Sequence, residues 1–351
     1  MADVPSTHIE VIDGVTNVIL TEPSTDSIVH VTTDIGSNVS RFRTRVRNQP
    51  IEVLAAPDSM ATLRERSTRF GSAILFPFPG RIKGGRFTFQ GRDIQLPTDG
   101  RDGNAIHGVL RNRPWRIAST TADADGASVV CEIDTVSANV PESEWPFPFT
   151  MRLTISLRGG VLRTDIETTN TGSTPMPMGL GFHPYFPTPL GPKGKPEECW
   201  IRVEATEEWE QSQATLPTGK VTPLADDDGN RVGVPLARVP FHATTPDGSI
   251  RNILFRRPTS GPSDGPGGVV AELRDGVNGV LMTLAASAGF GHLVVFVPAN
   301  QPMISYEPHT CVPNAFNLAN ESDLPTGMIA LAPGETWRGW YTIDARPLGA
   351  P

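Results

Sequence analysis

Residues 179–186 read Gly-Leu-Gly-Phe-His-Pro-Tyr-Phe and give the strongest single signal of fold and function in the chain. They place His183 among aromatic residues, after a strand-like run and before the proline-rich turn at 187–189. The neighbouring proline restricts the backbone, and the aromatic rings offer apolar, stacking walls. These surroundings suit a side chain that holds a proton against a ring-shaped ligand. On this stretch alone, a buried structural histidine is an equally good interpretation.

The composition narrows the functional class. The 351 residues carry 38 acidic and 30 basic side chains, a formal net charge of -8, and no basic block. This balance argues against a nucleic-acid partner. The longest apolar runs are too short to span a bilayer, so we expect no membrane partner, and residues 1–23 lack the pattern of a signal peptide. Cys131, Cys199 and Cys311 are scattered and odd in number, which predicts reduced thiols and a cytoplasmic location.

Alternation with a period of two is the dominant local pattern. Residues 149–157 place Phe, Met, Leu, Ile and Leu on one face and polar residues on the other, which is typical of a strand with one face on a core. Gly159 and Gly160 then predict a two-residue turn, because both central positions of a type I′ turn need positive φ. Residues 161–169 are the predicted partner strand.

Helical periodicity is scarce. The best helix candidate is residues 59–70, where Met60, Leu63 and Phe70 can share a face. Many short strands without βαβ alternation predict an all-β fold, a large antiparallel β-sandwich with very few short helices. The other predicted strands are residues 28–33, 200–205, 269–273, 280–284, 292–297, 328–331 and 337–343.

No shift in composition marks a domain boundary. The proline- and glycine-rich segments 187–195 and 258–268 are flanked by strand patterns of the same character, so they predict surface loops rather than linkers. We therefore expect one domain over residues 1–345, followed by a loose C-terminal tail at 346–351. We expect the protein to be a monomer or a weak homodimer.

Three further positions carry side chains capable of chemistry. His107 precedes a glycine, so a ligand can approach the thin backbone beside it; a turn histidine is the alternative. Glu307 ends an apolar strand-like run and precedes a proline, where a surface glutamate is the more common case. Arg81 follows Phe-Pro-Phe-Pro-Gly, where it either holds a ligand oxygen or pairs with a surface acid.

Taken in order, these motifs resemble the aldose 1-epimerase (galactose mutarotase) family. The resemblance rests on His107-Gly, on Phe-His183-Pro-Tyr-Phe, and on Glu307-Pro-x-Thr followed by Pro-Asn-Ala-Phe-Asn. It covers most of the chain, including the Trp-Pro-Phe-Pro-Phe entry to the strand at residue 149. It implies a single large β-sandwich with the sugar in an open cleft. It also implies an isomerase that interconverts the α and β anomers of an aldohexose without a cofactor or a metal.

The resemblance further implies roles for individual residues. Glu307 is implied as the general base and His183 as the general acid, on opposite sides of the sugar hemiacetal, with His107 binding near the ring oxygen. Arg81 would hold a hydroxyl or stabilise charge on Glu307. We expect Glu307 to be ionised, and His183 to be held protonated by a nearby carboxylate. Apolar surface for one sugar face is expected from Phe182, Tyr185 and Phe316.

The sequence departs from the family pattern at its sugar-binding positions. Gly80 stands where the family has an asparagine before the arginine. A family aspartate in a Leu-Asp-Asp-x-Phe-like segment has its nearest match at residues 250–255, where Arg251 and Asn252 replace the two acids. Asn252 can still bond a hydroxyl, less strongly than a charged acceptor, and Asp247 is the alternative. Arg251 either matches an anionic sugar such as a hexose 6-phosphate or is an exposed loop residue.

Three alternatives remain open at the level of sequence. The first is a glucose-6-phosphate 1-epimerase-like enzyme acting on a phosphorylated sugar. The second is a non-catalytic carbohydrate-binding protein of the same fold, against which the retained pair Glu307 and His183 argues. The third is a metal hydrolase using this glutamate and two histidines, but their spacing lacks the short-range pair typical of zinc ligands. His242, His292 and His309 are interpreted as structural or surface residues, with His309 near enough to Glu307 to tune it.

Overall fold

Two large antiparallel β-sheets dominate the computed structural model of the protein. Among the residues that the structure describes, one sheet has 13 strands and the other has nine, and three two-stranded pairs accompany them. The described residues are 4–98, 102–212, 215–224, 234–238, 242–243, 250–299, 301–321 and 324–349. The all-β class and the antiparallel sheets that the sequence predicts are confirmed.

The elements of the described residues are mostly short. In chain order the strands are β1 (Ser6–Ile12), β2 (Val15–Glu22), β3 (Ser27–Thr32), β4 (Asn38–Val46), β5 (Gln49–Glu52), β6 (Ser72–Leu75), β7 (Arg81–Ile82), β8 (Arg86–Phe89), β9 (Arg92–Gln95), β10 (Ala105–Ile106), β11 (Arg116–Asp123), β12 (Gly126–Asp134), β13 (Phe149–Arg158), β14 (Val161–Asn170), β15 (Met176–Met178), β16 (Gly181–Pro187), β17 (Trp200–Val203), β18 (Glu207–Gln211), β19 (Pro217–Pro223), β20 (Val234–Pro235), β21 (His242–Ala243), β22 (Ile250–Arg256), β23 (Gly268–Asp275), β24 (Val280–Ala286), β25 (His292–Pro298), β26 (Met303–His309), β27 (Ile329–Leu331) and β28 (Thr336–Pro347). The helices are α1 (Met60–Glu65) and α2 (Ala315–Glu321), with short 3-10 segments at Pro23–Thr25, Lys83–Gly85, Pro196–Glu198 and Leu236–Arg238.

The strand order brings distant parts of the sequence together. The larger sheet runs β1-β2-β3-β4-β6-β16-β26-β25-β22-β18-β19, with β5 beside β4 and β21 beside β22. The smaller sheet runs β11-β12-β13-β14-β28-β24-β23-β17-β20. Near the middle of the larger sheet, β16 lies directly beside β26, so the histidine motif and the glutamate motif become neighbours.

The hairpin of β13 and β14 forms where the sequence predicts it. The two strands pair along their whole length, and Gly159 and Gly160 between them have φ of +57° and +74°. The apolar residues of β13 face inward, and Leu153 and Ile155 are each 1% exposed. Both the turn and the buried face thus follow from local sequence pattern.

The hydrophobic core lies between the two sheets. The ring of Phe182 in β16 contacts Tyr341 in β28, with centroids 4.5 Å apart. The hydroxyl of Tyr306 in β26 donates to the carbonyl oxygen of Glu272 in β23 over 3.1 Å. One continuous cluster of buried apolar residues includes side chains of both sheets. Strands β16 and β26 therefore turn one face to the core and the opposite face away from it.

Helix α1 lies within the predicted segment 59–70 but is shorter. Ser59 caps it, because its hydroxyl accepts the backbone N–H of Thr62 over 3.1 Å. Met60 and Leu63 are buried, as their spacing predicts. No sequence pattern predicts helix α2, since seven residues are too few to show a helical period.

The C-terminal boundary differs from the prediction. Strand β28 continues to Pro347, and Arg346 pairs with Leu281 of β24. The first two residues of the expected tail at 346–351 therefore belong to the smaller sheet. Pairing with β24 supplies partners for their backbone groups, and a pattern at the chain end does not reveal such long-range pairing.

Candidate active site

Strands β16 and β26 bring the residues of the two main motifs onto one face of the larger sheet. Side chains alternate along a strand, so His183 shares its face with Tyr185, and Glu307 shares its face with Ser305 and His309. Tyr185 pairs with Ser305 across the two strands. Two residues further along this antiparallel pair, His183 stands opposite Glu307, on the face turned away from the core.

Glu307 lies between two imidazole rings. Its Oε1 is 3.3 Å from Nε2 of His183, and its Oε2 is 3.2 Å from Nε2 of His309. All three residues are buried. The expectation that His183 and Glu307 lie on opposite sides of a sugar is therefore wrong, because the strand register makes them direct cross-strand neighbours.

Ser305 assigns a proton to one nitrogen of His183. The Ser305 hydroxyl donates its single hydrogen to the carbonyl oxygen of Pro184 over 2.7 Å. Its oxygen also lies 2.9 Å from Nδ1 of His183, where it can only accept. Nδ1 therefore carries a proton, and Nε2 faces Glu307 across a site that holds one shared proton.

Burial decides which member of the pair holds that proton. Desolvation raises the pKa of Glu307 to about 7, although the charges of His183, Arg81 and Arg69 lower it. Desolvation lowers the pKa of His183 to about 4, although Glu307 raises it. Burial therefore opposes the expected pair of an ionised Glu307 and a protonated His183. It favours the neutral pair, in which the shared proton is on Glu307, because removing two charges from water competes with their mutual attraction.

His107 approaches the pair from a loop. Its ring centroid is 5.6 Å from that of His183, and its Nδ1 accepts the backbone N–H of Gly80 over 3.2 Å. Burial, followed by the proximity of His183, lowers the pKa of His107 well below its ordinary value, because two neighbouring imidazoles resist carrying charge together. The ring is therefore neutral, and its one proton is on Nε2. His107 thus offers a hydrogen-bond donor at this site.

The backbone beside His107 requires a glycine. His107 and Gly108 have φ of +60° and +66°, in the left-handed region that favours glycine. A Cβ on Gly108 would overlap the carbonyl oxygen of Phe76, which accepts the backbone N–H of Val109 over 2.8 Å. The sequence predicts that a ligand can approach the backbone beside His107 closely. In the structure, the backbone of Phe76 occupies that position.

Arg81 is held by protein groups. Its Nε donates to Oδ2 of Asp102 over 2.6 Å, and its Nη1 donates to Oγ1 of Thr215 over 2.6 Å. Its charge also lowers the pKa of Glu307. This arrangement supports the second of its two expected roles, the stabilisation of charge on Glu307.

Asn252 in β22 provides an unsatisfied acceptor in the cavity that His183 and Glu307 also line. It pairs with Phe296 of β25, and its Oδ1 is buried without a hydrogen-bond partner among the described residues. Buried polar atoms normally have a partner, so this oxygen is available to a ligand hydroxyl. The backbone of Arg251 is part of β22, but its side chain falls outside the described part of the structure. Asp247 also lies outside the described residues.

The aromatic wall of the site comes from β16 and β25. Tyr185 stacks on His183 with ring centroids 4.7 Å apart and an interplanar angle of 15°. Val294 and Phe296 of β25 stand beside β26, and all these side chains line one cavity of about 820 Å³. A cavity of this size accommodates a small-molecule ligand such as a monosaccharide.

Two aromatic residues expected against the sugar lie elsewhere. Phe182 packs in the core between the sheets, because it neighbours His183 in a strand and so points to the opposite face. Phe316 lies on α2 and packs against Phe87, with ring centroids 4.9 Å apart. Both are 2% exposed, so the expectation that they line the sugar site is wrong.

Two observations bear on other functional classes. In the described part of the chain, no group of three or more His, Cys, Asp or Glu side chains is arranged to hold a metal ion. The metal-hydrolase alternative therefore has no ligand set among these residues. No helix within the described ranges has the length and apolar character needed to cross a membrane.

Residues 24–344 match the model of the family described as aldose 1-epimerase. The chain belongs to the aldose 1-epimerase family. The resemblance inferred from the three motifs is thereby confirmed over nearly the whole chain.

Curated relatives of this family member include two uncharacterised proteins of Escherichia coli (strain K12). YihR is 36% identical over 116 residues, which are 32% of this chain and 35% of YihR. YphB is 28% identical over 143 residues, which are 40% of this chain and 43% of YphB. The matches thus span less than half the length of either relative.

Solved structures similar to this family member share its fold. A galactose mutarotase-like protein from Clostridium acetobutylicum superposes with a TM-score of 0.85 at 21% identity, covering 98% of this chain and 99% of that one. A galactose 1-epimerase from Lactobacillus acidophilus NCFM gives a TM-score of 0.75 at 16% identity, with coverages of 99% and 100%. The two packed sheets are therefore a galactose mutarotase-like fold, and at these identities the similarity concerns the fold alone.

The motifs of this aldose 1-epimerase family member reveal only part of the site. They do not single out Ser305, Phe296 or Arg69, and they class His309 as a structural residue that could tune Glu307. The alternation of side chains along a strand could have identified Ser305 and His309. They lie two residues before and two residues after Glu307, so they must share its face in a strand. No local pattern marks Arg69, which follows α1 in a loop.

Proposed function

We propose that this family member interconverts the α and β anomers of an aldohexose by general acid–base catalysis. The proposal rests on one observation above all, the direct contact of Nε2 of His183 with Oε1 of Glu307 at 3.3 Å in the cavity. An imidazole and a carboxylate that share a proton can supply one base and one acid to the same substrate.

The reaction moves one proton from the O1 hydroxyl and adds one proton to the ring oxygen. The Glu307 carboxylate takes the first proton, and the His183 imidazolium gives the second. The bond between C1 and the ring oxygen breaks, and C1 becomes a carbonyl. Rotation about the C1–C2 bond presents the other carbonyl face, and the reverse transfers close the ring and restore both side chains. Protons and electrons balance without a further reactant.

An acid and a base on one side of the sugar suit this chemistry. O1 and the ring oxygen are bonded to the same carbon, so two adjacent groups can reach both. After ring opening, Glu307 holds a proton and His183 is neutral, which is the arrangement that burial favours. Transfer of the proton across their contact restores the pair that opens the ring.

The pair is competent only while it holds one proton. Coupled groups titrate as a unit, here with pKa values of about 4 and about 7. At lower pH both groups are protonated and no base remains. At higher pH both are deprotonated and no acid remains. The proposed chemistry therefore gives a bell-shaped dependence of kcat/KM on pH, with an alkaline limb near the pKa of Glu307.

Four residues that line the cavity with the pair would hold the sugar. His107 offers a donor from Nε2, and Asn252 offers an acceptor from Oδ1. Phe296 and Tyr185 supply apolar surface, which is the usual mixture of apolar walls and few polar groups in a small-molecule site.

Anomeric exchange at equilibrium tests the proposal. A catalytic amount of the protein at about pH 6 should accelerate magnetisation exchange between the anomeric protons of D-glucose or D-galactose in NMR. Polarimetry of freshly dissolved α-D-glucose should show a faster drift, and EDTA should leave the rate unchanged. A binding protein without catalysis would leave both rates at the value for buffer alone, and that result on all tested sugars would refute the proposal.

The arginines of the cavity favour a second candidate, an aldose that carries an anionic group. Arg66, Arg69, Arg81 and Arg111 all line the cavity. Arg66 and Arg81 each have a carboxylate partner, whereas Arg69 has no salt-bridge partner among the described residues. The guanidinium of Arg69 lies 5.9 Å over the ring of Phe296. It can therefore meet a phosphate or a carboxylate on a bound sugar.

Arg69→Gln separates this candidate from the first. If the substrate is anionic, the variant should lose about tenfold or more in kcat/KM on glucose 6-phosphate and little on glucose, because a charge-assisted hydrogen bond disappears. The matched control is Arg92→Gln, since Arg92 lies 5.7 Å over the Phe147 ring away from the cavity. An equal loss on both sugars would show that Arg69 acts on the His183–Glu307 pair and not on an anionic substituent.

A further inference from the structure

His309 packs closely against the backbone of the neighbouring strand β16. It is 1% exposed and pairs across the sheet with Gly181 of β16. A Cβ on Gly181 would lie 2.5 Å from Cδ2 and 3.0 Å from Nε2 of His309, and 2.9 Å from Cβ of Pro79. Glycine at this position is therefore what leaves room for the imidazole ring.

The proton of His309 has an acceptor at contact distance in Glu307. Burial lowers the pKa of His309 to about 3, so the ring is neutral and carries a single N–H. Neither ring nitrogen has an aligned hydrogen bond among the described residues. Its cross-strand neighbour His292 uses Nδ1 on the carbonyl oxygen of Thr310 over 3.2 Å. The carboxylate oxygen Oε2 of Glu307 lies 3.2 Å from Nε2 of His309 and is an acceptor within reach.

We propose that His309 is a positioning residue that donates its Nε2–H to Oε2 of Glu307 and so holds the carboxylate against His183. The inference rests on the proposed function for its kinetic consequence. Catalytic hydrogen bonds are often misaligned until the substrate is bound, which accounts for the contact distance without an aligned bond. A buried donor left without an acceptor is unfavourable, so the pairing also explains why an imidazole is tolerated here.

Several charged and titratable groups share this environment. Glu307 is faced by His183 from β16, by Arg81 from β7, by Arg69 from the loop after α1, and by Tyr185. The groups that face His309 besides Glu307 are His107, His183 and His292. The imidazoles on this face are neutral by burial, so the hydrogen bond from His309 adds stabilisation specifically to the ionised form of Glu307.

Removal of the donor should therefore shift the alkaline limb of kcat/KM. In His309→Leu the ionised carboxylate loses a hydrogen bond, so the limb should move up by about one pH unit or more, and kcat should fall. His309→Gln places an amide N–H near the same point and should keep the limb at the wild-type position. Gly181→Ala should displace the ring without removing it, and should shift the limb in the same direction as His309→Leu.

The alternative roles predict other results. If His309 only fills space, His309→Leu and His309→Gln would both lose activity with no movement of the limb. If His309 binds the sugar directly, KM would rise while kcat and the limb stay constant. Either result would overturn the inference. Thermal unfolding of each variant checks that the fold is retained.

A measurement on the wild-type protein keeps this inference separate from the proposed function. Long-range ¹H–¹⁵N spectra of histidine-labelled protein report which ring nitrogen carries the proton, with His309 assigned through its absence in His309→Gln. We expect Nε2–H for His309, and a proton on Nδ1 would refute the inference. If the wild-type protein accelerates no anomeric exchange, the proposed function fails, and the tautomer still decides the role of His309.

Discussion

Replacement of Glu307 by glutamine is expected to lower kcat/KM for anomer exchange by about 10³-fold at pH 6, with the fold retained. A general base contributes roughly 10² to 10⁴ to the rate, and an amide cannot accept and return the O1 proton. The side chain keeps its length and shape. Because burial raises the pKa of Glu307 to about 7, the side chain is mostly neutral at pH 6, and the substitution changes the charge of the cavity little.

The neighbours of Glu307 explain why the variant should fold. The amide nitrogen can donate to Nε2 of His183, which lacks a hydrogen when Nδ1 is protonated. The amide oxygen can accept from Nε2 of His309. The glutamine amide can therefore replace both contacts of the carboxyl group, the one with His183 and the one with His309. We expect the melting temperature of Glu307→Gln to lie close to that of the wild-type protein.

The measurement compares exchange rates and thermal unfolding in parallel. A matched control is Glu10→Gln on the edge strand β1, where the Glu10 side chain is 52% exposed and lies several strands from β26 in the sheet order. The control should retain its exchange rate. A Glu307→Gln protein that is folded and as fast as wild type would exclude Glu307 as the base.

Local pattern predicts those parts of the fold that depend on neighbours in the sequence. The alternation of β13 and the paired glycines after it are sufficient for the hairpin, since register and turn follow from a few adjacent residues. Helix α2 and the extension of β28 to Pro347 depend instead on distant partners. For α2 the partner is the cluster around Phe87, and for β28 it is β24.

In the candidate site, too, local sequence predicts some features and distant partners determine the others. Motifs identify His183 and Glu307 as a pair, but the distance between them depends on which strands become neighbours in the sheet. The adjacency of β16 and β26 puts the two groups in contact, and the resulting burial opposes their expected protonation. Phe316 fails as a sugar contact for the same reason, because only the tertiary fold shows that α2 turns its ring into the core.

The stability of the protein is expected to fall steeply as pH drops from about 6.5 towards 4. Among the residues that the structure describes, five histidines have lowered pKa values, in each case chiefly through burial. They are His30, His107, His183, His292 and His309. Unfolded histidine binds a proton near pH 6.5, whereas these folded residues resist protonation until a much lower pH. The unfolded state therefore binds more protons in this window, so stability is full above it and is lost as pH falls.

Glu307 acts in the opposite direction. Its folded pKa of about 7 exceeds the ordinary value of 4.5, so its contribution is full below pH 4.5 and is lost as pH rises through 7. The contribution of Glu307 to the pH dependence of stability is about as large as that of one histidine and has the opposite sign. It therefore roughly cancels the contribution of His183, because the two side chains share a single proton. For His292 and His309, which are fully buried, the loss between pH 6.5 and pH 5 is on the order of 1–2 kcal/mol each.

Urea unfolding at a series of pH values between 7.5 and 5 measures the effect. His30→Gln, in β3 and away from the cavity, should flatten the dependence by up to one proton. His8→Gln is the control, because the His8 side chain is 54% exposed, and the dependence should persist. A free energy of unfolding that stays constant from pH 7 to pH 5 would mean that these imidazoles are not shielded from water. Burial would then no longer explain why His183 is neutral, or why it shares a proton with Glu307.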